Sequence, residues 1–342
     1  MSVSIGGNTT IESVEYEEAT DAILSSYLED QISETMERIE VPKGIIEGLT
    51  GIRERRFFDI DVMPSDIATK AARKAIEAAG IDKNEIGCII STSVCKDYIE
   101  PSISCMVHGN LELSPECINF DIGNACLGFI NGISTIIIMI ETGLIKYGLI
   151  VDGENAREVV ESTINILQSP DITMQTFQEN FATLTLGSGG AAMILSHKDL
   201  SRTGHVVNGS VSRAATEHSR LCLGQKKRMK ADAPKVMKYG VKLANETWKI
   251  AGTRLENWSD ATIDRYMPHQ VSARNMEVLN QVLGLTPEKS QLNFYTLGNI
   301  GPAAVPITLS LAEKEKTIKK GDHVALLGIG SGLNCSMMSI SW

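Results

Sequence analysis

The sequence lacks the features that mark nucleic-acid binding. Its formal net charge is -10 at pH 7, and its single dense basic run extends from Lys226 to Lys230. Nucleic acids and anionic membranes bind clustered Lys and Arg, so this charge balance argues against both as partners. We interpret the basic run as a solvated surface segment. The alternative is a contact with the phosphates of a nucleotide.

The cysteines lack the spacing of metal sites and of disulfide frameworks. Seven are spread along 342 residues, with no Cys-x-x-Cys pair and no His/Cys cluster. Scattered thiols in odd number are typical of a reducing compartment. The N-terminal region also lacks the basic and apolar segments of a signal peptide, because residues 14–40 are rich in Glu and Asp. We therefore expect a cytoplasmic protein without a metal site.

A long uninterrupted apolar run is missing as well. Residues 125–140 are the most apolar segment, but they contain two glycines and the polar residues Asn131, Ser134 and Thr135. A membrane-spanning helix usually needs roughly 20 apolar residues. We predict instead a helix buried on all sides in a large core.

What the sequence does contain is one order of elements, present twice. Helices and strands alternate between residues 65 and 152, where the first helix is predicted to begin at Ser65 or Asp66 and to end at Gly80. A similar order returns between residues 236 and 328. Strands that alternate with helices pair in parallel through right-handed crossovers. Two βαβαβ halves therefore predict two sheets that sandwich central helices.

We place the boundary between the halves at residues 197 and 198. This gives an N-terminal half, 1–197, and a C-terminal half, 198–342. Residues 155–182 and 200–235 interrupt the repeat, and such insertions are natural places for substrate contacts.

Three residues at the ends of predicted strands can carry chemistry. Cys126 lies at a strand-to-helix junction, where the positive end of a helix favours a thiolate. His269 and Asn299 follow elements of the second half. Each has a plainer interpretation, as a core thiol, a structural histidine and a turn asparagine. Together, however, Cys, His and Asn form a recurrent set for acyl transfer.

Several segments resemble a known family. The segments GNACLGF, PHQVS, GNIGPAAVPI and GIGSGLNCSM are similar to those of the thiolase superfamily. Within it they resemble the OleA family, the acyl-CoA condensing enzymes of bacterial long-chain olefin biosynthesis. The similarity runs from TGIRERR at residues 50–56 to the C-terminus. It implies a thiolase fold, in which the two halves form a five-layered α-β-α-β-α sandwich.

The resemblance also implies roles for these residues. Cys126 would be the acylated nucleophile, while His269 and Asn299 would stabilise the enolate of a second thioester. Backbone N–H groups of Cys126 and Ser331 would form the oxyanion hole. The substrates would be two fatty acyl-CoA molecules, with no bound cofactor, and the product a 2-alkyl-3-ketoacyl compound for olefin, ketone or β-lactone biosynthesis. A homodimer is implied by the family alone.

Glu100, in the segment DYIEPS, distinguishes the subfamilies. Its plain interpretation is a surface carboxylate. A decarboxylating enzyme makes its carbanion by losing CO2, whereas a non-decarboxylating one must remove a proton beside a thioester and therefore needs a base. In the olefin-pathway enzymes such a glutamate reaches the partner's site across the dimer interface. Glu100 therefore favours the non-decarboxylating reaction.

Three alternatives remain open. The first is a β-ketoacyl-ACP synthase III that uses malonyl-ACP, although Ser272 stands where those enzymes typically carry Asn, and apolar residues around Ile45 and Leu49 replace the Trp and Arg that hold their nucleotide. The second is a cysteine hydrolase, which would not explain the paired halves. The third is a non-catalytic subunit that supplies only Glu100 and an interface to a related partner.

Overall fold

The computed structural model describes residues 7–342 of the chain. Its strands are numbered here in chain order. They are β1 (Thr9–Glu18), β2 (Asp21–Leu24), β3 (Glu54–Phe57), β4 (Ile86–Ser91), β5 (Ile118–Asp121), β6 (Tyr147–Glu154), β7 (Gly189–His197), β8 (His205–Ala214), β9 (Cys222–Gln225), β10 (Arg228–Ala231), β11 (Arg265–Pro268), β12 (His323–Gly330) and β13 (Asn334–Ser341).

The helices flank and separate these strands. They are α1 (Ser25–Gln31), α2 (Ser33–Arg38), α3 (Ile45–Thr50), α4 (Pro64–Ala79), α5 (Ile103–Leu111), α6 (Gly128–Glu141), α7 (Arg157–Leu167), α8 (Met174–Phe181), α9 (Ala233–Arg254), α10 (Ala273–Leu283), α11 (Phe294–Leu297) and α12 (Ala304–Lys314).

The first predicted helix, α4, shows how tertiary contacts set a helix start. It begins at Pro64, one residue before the predicted cap, and no side chain caps it locally. Instead, the carboxylate of Asp97 accepts the backbone N–H of Ser65 at 3.0 Å. The helix ends before Gly80, which has φ 62°, as predicted for a glycine stop.

Nine strands form one mixed sheet in the order β11-β12-β13-β8-β1-β7-β6-β4-β5. The pairs β4–β5, β4–β6 and β11–β12 are parallel, as the alternation of helices and strands predicts. The middle strands β13, β8, β1 and β7 pair antiparallel. The two halves meet where Thr10 and Ile11 of β1 pair with Val206 and His205 of β8.

The antiparallel strands were not predicted from the sequence. β1 reads as polar and acidic, yet most of it is buried. Its Glu12 accepts hydrogen bonds from Thr10, Ser196 and the backbone of Arg202. These bonds compensate for the desolvation of the carboxylate. Residues 292–297 contain the short helix α11 and no strand of the large sheet.

Apolar helices separate the two parts of the sheet. Phe129 and Ile133 of α6 and Leu309 of α12 belong to one core cluster with Ile150 of β6 and Leu326 of β12. On the outer faces, α4 and α5 cover the N-terminal strands, and α9 covers β8 and β13. The predicted five-layered sandwich is therefore confirmed.

The apolar segment at residues 125–140 forms a helix of the central layer. Most of α6 is buried, and it lies close against β6, where an ideal Cβ on Gly148 would lie 2.4 Å from Ile136 Cγ2. The absence of a side chain at Gly148 permits this approach. Over residues 7–342, none of the helices has the length and apolarity that a membrane crossing requires.

The insertion at residues 155–182 forms α7 and α8. Their apolar faces pack with those of α1, α2 and α3 in a separate core cluster. β7 ends at His197 and β8 begins at His205, so the predicted boundary between 1–197 and 198–342 lies in their connection. That division stays a prediction.

Candidate active site

Cys126 lies at the entrance to the central helix. After β5 ends at Asp121, a 3-10 turn over Ala125–Leu127 leads directly into α6. Ala125 has φ 46°, a left-handed conformation that non-glycine residues adopt rarely. The Asn124 carbonyl accepts the N–H of Leu127 at 3.0 Å. The junction predicted from the sequence therefore exists, and strained backbone positions the cysteine there.

The turn after β12 packs against this cysteine. An ideal Cβ on Gly330 would lie 3.4 Å from the backbone nitrogen of Cys126 and 3.2 Å from that of Leu127. The Asn334 side chain also donates to Asn124 Oδ1 at 3.2 Å. Since Ser331 follows Gly330 directly, these contacts bring the two predicted oxyanion-hole residues into one place.

His269 follows the last residue of β11. Its backbone N–H donates to the carbonyl of Leu327 at 2.7 Å, which fixes the residue beside β12. The side chain is buried, and burial lowers its pKa to about 4, against a smaller opposing effect of hydrogen bonding to the Gly301 backbone. The imidazole is therefore neutral at pH 7.

Asn299 lies on a turn held from both sides. Its N–H donates to the carbonyl of Thr185, and its carbonyl accepts the N–H of Gly187, both at 2.9 Å. The side-chain Oδ1 accepts the N–H of Gly301 at 3.1 Å. The amide NH2 is thus the group left to donate to a ligand. Gly301 is the shared neighbour of Asn299 and His269.

The turn of Gly301 joins these residues to the nucleophile. The 3-10 turn of Cys126 packs directly against the turn Gly301–Ala303. Cys126, His269, Asn299 and the Ser331 turn therefore meet, although they come from different halves of the chain.

The ionisation of Cys126 differs from the expectation. We expected the helix end to favour a thiolate. Burial instead raises the pKa of the thiol to about 12, with smaller contributions in the same direction from Cys222 and Glu154 and an opposing one from its own backbone N–H. Desolvation outweighs the helix end, so the side chain of Cys126 rests as a thiol.

Glu100 does not join the other residues in its own chain. It is exposed, as are its neighbours Tyr98 and Ile99. Within residues 7–342 its side chain makes no hydrogen bond and no ion pair. Glu100 is therefore an exposed carboxylate that makes no polar contact with Cys126, His269 or Asn299 of its own chain.

Sequence reasoning missed two residues beside the nucleophile. Glu154, at the end of β6, is buried, and burial raises its pKa to about 7. Cys222 of β9 hydrogen-bonds to Ser331, and burial raises the pKa of its thiol. The available signal for Glu154 was a carboxylate at the C-terminal end of a mostly apolar strand, where parallel sheets present side chains to ligands. Cys222 lies in an insertion and gave no such signal.

The basic run forms a surface hairpin of β9 and β10. Lys226 and Lys227 pair with Glu158 at 3.8 and 3.5 Å, and Lys230 pairs with Glu179 at 2.6 Å. These ion pairs agree with a solvated surface segment. Across the described residues, no three His, Cys, Asp or Glu side chains converge as metal ligands would.

Comparison with known proteins places this geometry in a family. The family model described as 3-oxoacyl-[acyl-carrier-protein] synthase III matches residues 120–212, and its C-terminal counterpart matches residues 254–342. The acyl-CoA:acyl-CoA alkyltransferase of Xanthomonas campestris is 41% identical over 98% of this chain and 99% of its own length. A crystal structure of Xanthomonas campestris OleA with bound lauric acid and lauroyl-CoA superposes with a TM-score of 0.96, at 40% identity over 98% and 99% of the two chains. The chain belongs to the OleA family.

Membership of the OleA family makes the chain a thiolase-superfamily condensing acyltransferase. A β-ketoacyl-[acyl-carrier-protein] synthase III of Clostridioides difficile is 30% identical over 86% of this chain and 88% of its own length. The synthase III enzymes are therefore also relatives, at lower identity than the alkyltransferase. The resemblance and the fold predicted from the sequence are both confirmed.

Proposed function

We propose that this chain joins two fatty acyl-CoA molecules by a non-decarboxylative Claisen condensation, with Cys126 as the acylated residue. The observation that carries the proposal is the convergence of Cys126, His269 and Asn299 in a chain 41% identical to an acyl-CoA:acyl-CoA alkyltransferase. The OleA structure with lauroyl-CoA is a cysteine-to-serine variant, and other OleA structures carry substitutions of a glutamate and a histidine. The same residue types form the site proposed here.

In the first step, the acyl group moves from CoA to Cys126. The cysteine sulfur attacks the thioester carbon, the bond from that carbon to the CoA sulfur breaks, and the proton of Cys126 ends on the departing CoA. Because the thiol is not ionised at rest, its proton must leave during the attack. The neutral His269 can accept and return that proton. Backbone N–H groups of Cys126 and Ser331 hold the transient oxyanion.

In the second step, Glu100 of the partner removes a proton beside the carbonyl of a second acyl-CoA. His269 and the amide of Asn299 stabilise the enolate, whose carbon attacks the acyl group on Cys126. The new carbon–carbon bond forms as the bond to the cysteine sulfur breaks, and the proton removed by Glu100 ends on that sulfur, which restores the Cys126 thiol and the Glu100 carboxylate. The product is a 2-alkyl-3-ketoacyl-CoA, whose thioester is then hydrolysed to a β-keto acid.

A homodimer would place Glu100 at this second site. The strand β5 is the last strand of the sheet, and its Ile118 is 43% exposed. The nearby loop exposes Val94, Tyr98 and Ile99. Apolar side chains beside an unpaired strand edge favour an interface with a second copy. Both the homodimer and the donation of Glu100 are part of the proposal.

We also propose a cytoplasmic location. All seven cysteines are free thiols, and free thiols persist in reducing compartments. Acyl-CoA substrates are compatible with the same location.

The test is to incubate the purified protein with one long-chain acyl-CoA and to analyse protein and products by mass spectrometry. We expect an acyl adduct on Cys126 and a β-keto acid that contains two acyl chains. Cys126→Ala should lose both, whereas Glu100→Ala should keep the adduct and lose the condensed product. Condensation at the normal rate by Glu100→Ala would refute the assignment of the base.

The same assay separates the alternatives. A β-ketoacyl-ACP synthase III would require malonyl-ACP, so strict dependence on malonyl-ACP would exclude the olefin-type reaction. A hydrolase would release only free fatty acid. A non-catalytic subunit would show no adduct on Cys126.

A further inference from the structure

Glu154 binds the start of the loop that carries Glu100. Its Oε1 accepts the N–H of Val94 at 2.6 Å, and its Oε2 accepts the N–H of Cys95 at 3.0 Å. Hydrogen bonds from two consecutive amides to one carboxylate fix the direction in which the chain leaves β4. Bonds to a charged acceptor are also stronger than neutral ones.

Glu154 also borders the active site of its own chain. An ideal Cβ on Gly301 would lie 4.0 Å from Glu154 Cδ, and Gly301 is the shared neighbour of His269 and Asn299. The side chain of Glu154 is buried. One carboxylate therefore binds the base of an exposed loop and lies beside the Gly301–Ala303 turn.

Further contacts hold the loop on either side of its exposed part. Lys96 pairs with Asp121 at 2.6 Å, and Asp121 in turn accepts the backbone N–H of Ile103 and of Ser104. Asp97 accepts the N–H of Ser65. The residues between these anchors, 98–101, are exposed. The position of Glu100 thus depends on anchors at the two ends of a short segment.

We propose that Glu154 is a positioning residue that aims Glu100 into the active site of the partner subunit. This inference rests on the proposed function, in which Glu100 acts as the base across a dimer interface. Under this proposal, Glu154 of one subunit affects the condensation step in the active site of the other subunit. Acylation of Cys126 does not require Glu154 of the same chain.

A glutamine at position 154 tests the contact with little change of volume. The side-chain Oε1 of glutamine accepts one amide N–H, but its NH2 group is a donor and cannot accept the other. One of the two amides, Val94 or Cys95, would then lose its partner inside a buried site. The ionised carboxylate of Glu154 accepts both bonds.

Mixed dimers separate the two sites. A donor chain carries Cys126→Ala, which silences its own site but keeps Glu100. An acceptor chain carries Glu100→Ala and keeps Cys126. Different affinity tags on the two chains allow purification of the mixed dimer, which has one functional site if Glu100 acts in the partner. We expect about half of the condensation rate of the unmodified dimer.

Glu154→Gln is then added to one chain at a time. In the donor chain it should lower the condensation rate about tenfold, the effect expected for loss of one charge-assisted hydrogen bond. The acyl adduct on Cys126 of the acceptor chain should form at an unchanged rate. In the acceptor chain the same substitution should have a clearly smaller effect on condensation. Glu154→Asp in the donor, which keeps the charge, should restore part of the rate.

The control is Glu29→Gln in the donor chain. Glu29 is also buried and accepts two backbone N–H groups, from Gly44 and Ile46, but it holds a different segment. Glu29→Gln in the donor chain should leave the condensation rate unchanged. Thermal unfolding should show that the donor chains with Glu29→Gln and with Glu154→Gln are both folded.

The outcomes are distinguishable. A mixed dimer without Glu154→Gln that fails to condense would overturn the donation of Glu100, and this inference with it. An active mixed dimer that is insensitive to Glu154→Gln in the donor, or more sensitive in the acceptor, would overturn the positioning role alone.

Discussion

The ionisation of Cys126 gives a quantitative prediction. Burial raises the pKa of this thiol to about 12, and the neighbours Cys222 and Glu154 add to the effect. A pH of 7 lies about five units below that pKa, so about one Cys126 thiol in 100,000 is ionised. Because a raised pKa means that the thiol form persists, the thiolate fraction should increase tenfold for each unit by which the pH rises, as long as the pH stays well below 12.

His269 does not change this dependence. Its pKa is lowered to about 4, so the imidazole is neutral from pH 6 upwards and supplies no cation to pair with a thiolate. Its titration lies below the range of the assay. A plot of the logarithm of the Cys126 alkylation rate against pH should therefore be a single straight line.

The assay is alkylation by iodoacetamide, followed at the level of peptides by mass spectrometry. Between pH 6 and pH 9 we expect the rate at Cys126 to rise about 1,000-fold, since only the thiolate reacts. The exposed Cys105 serves as an internal reference, and His269→Ala should leave the slope unchanged. A rate at Cys126 that is already constant above pH 7 would refute the reasoning, because it would show a stable thiolate.

Two further predictions concern the packing of a glycine against Cys126 and the contribution of a buried arginine to stability. Gly330→Ala should lower the rate of Cys126 acylation about tenfold, because the new Cβ would lie 3.2 to 3.4 Å from backbone atoms of the turn that carries Cys126. The rate of acyl adduct formation measures this effect. The control is Gly224→Ala, whose new Cβ meets nothing within 4 Å and should leave the rate unchanged. Arg55→Met should reduce the free energy of unfolding by about 2 kcal/mol, because Arg55 donates in the interior to the carbonyls of Ile23 and Leu184. Urea unfolding measures the second effect, and a change under about 0.5 kcal/mol would contradict it.

Much of the fold could be predicted from local patterns. The helix α4 has alanines at its buried positions and Gly80 at its end, and both signals lie within the segment itself. The strands β4, β6 and β12 are mostly apolar and almost entirely buried, as strands covered on both faces are. The order of these elements predicted the layers correctly.

The strands at the centre of the sheet lacked such signals. β1 carries Glu12 and several other polar residues, and partners far along the chain, Ser196 and Arg202, make their burial possible. Hydrogen bonds between residues distant in the sequence therefore decided where β1 lies.

The sequence by itself determined the identity of the chemical groups. A cysteine at a strand-to-helix junction, a histidine after a strand and an asparagine on a glycine-rich turn were recognisable from their neighbours, and the resemblance to the family implies the roles proposed for them. Glu100 was recognisable in the same way.

Only the tertiary structure decided how these groups behave. The helix end predicted a thiolate at Cys126, but burial among elements of both halves disfavours the charged form and keeps a thiol. Glu154 lies between the Gly301–Ala303 turn and the loop of Glu100 because β6 brings its side chain against Val94, Cys95 and Gly301. Solvation and proximity depend on residues distant in sequence, and no local pattern contains them.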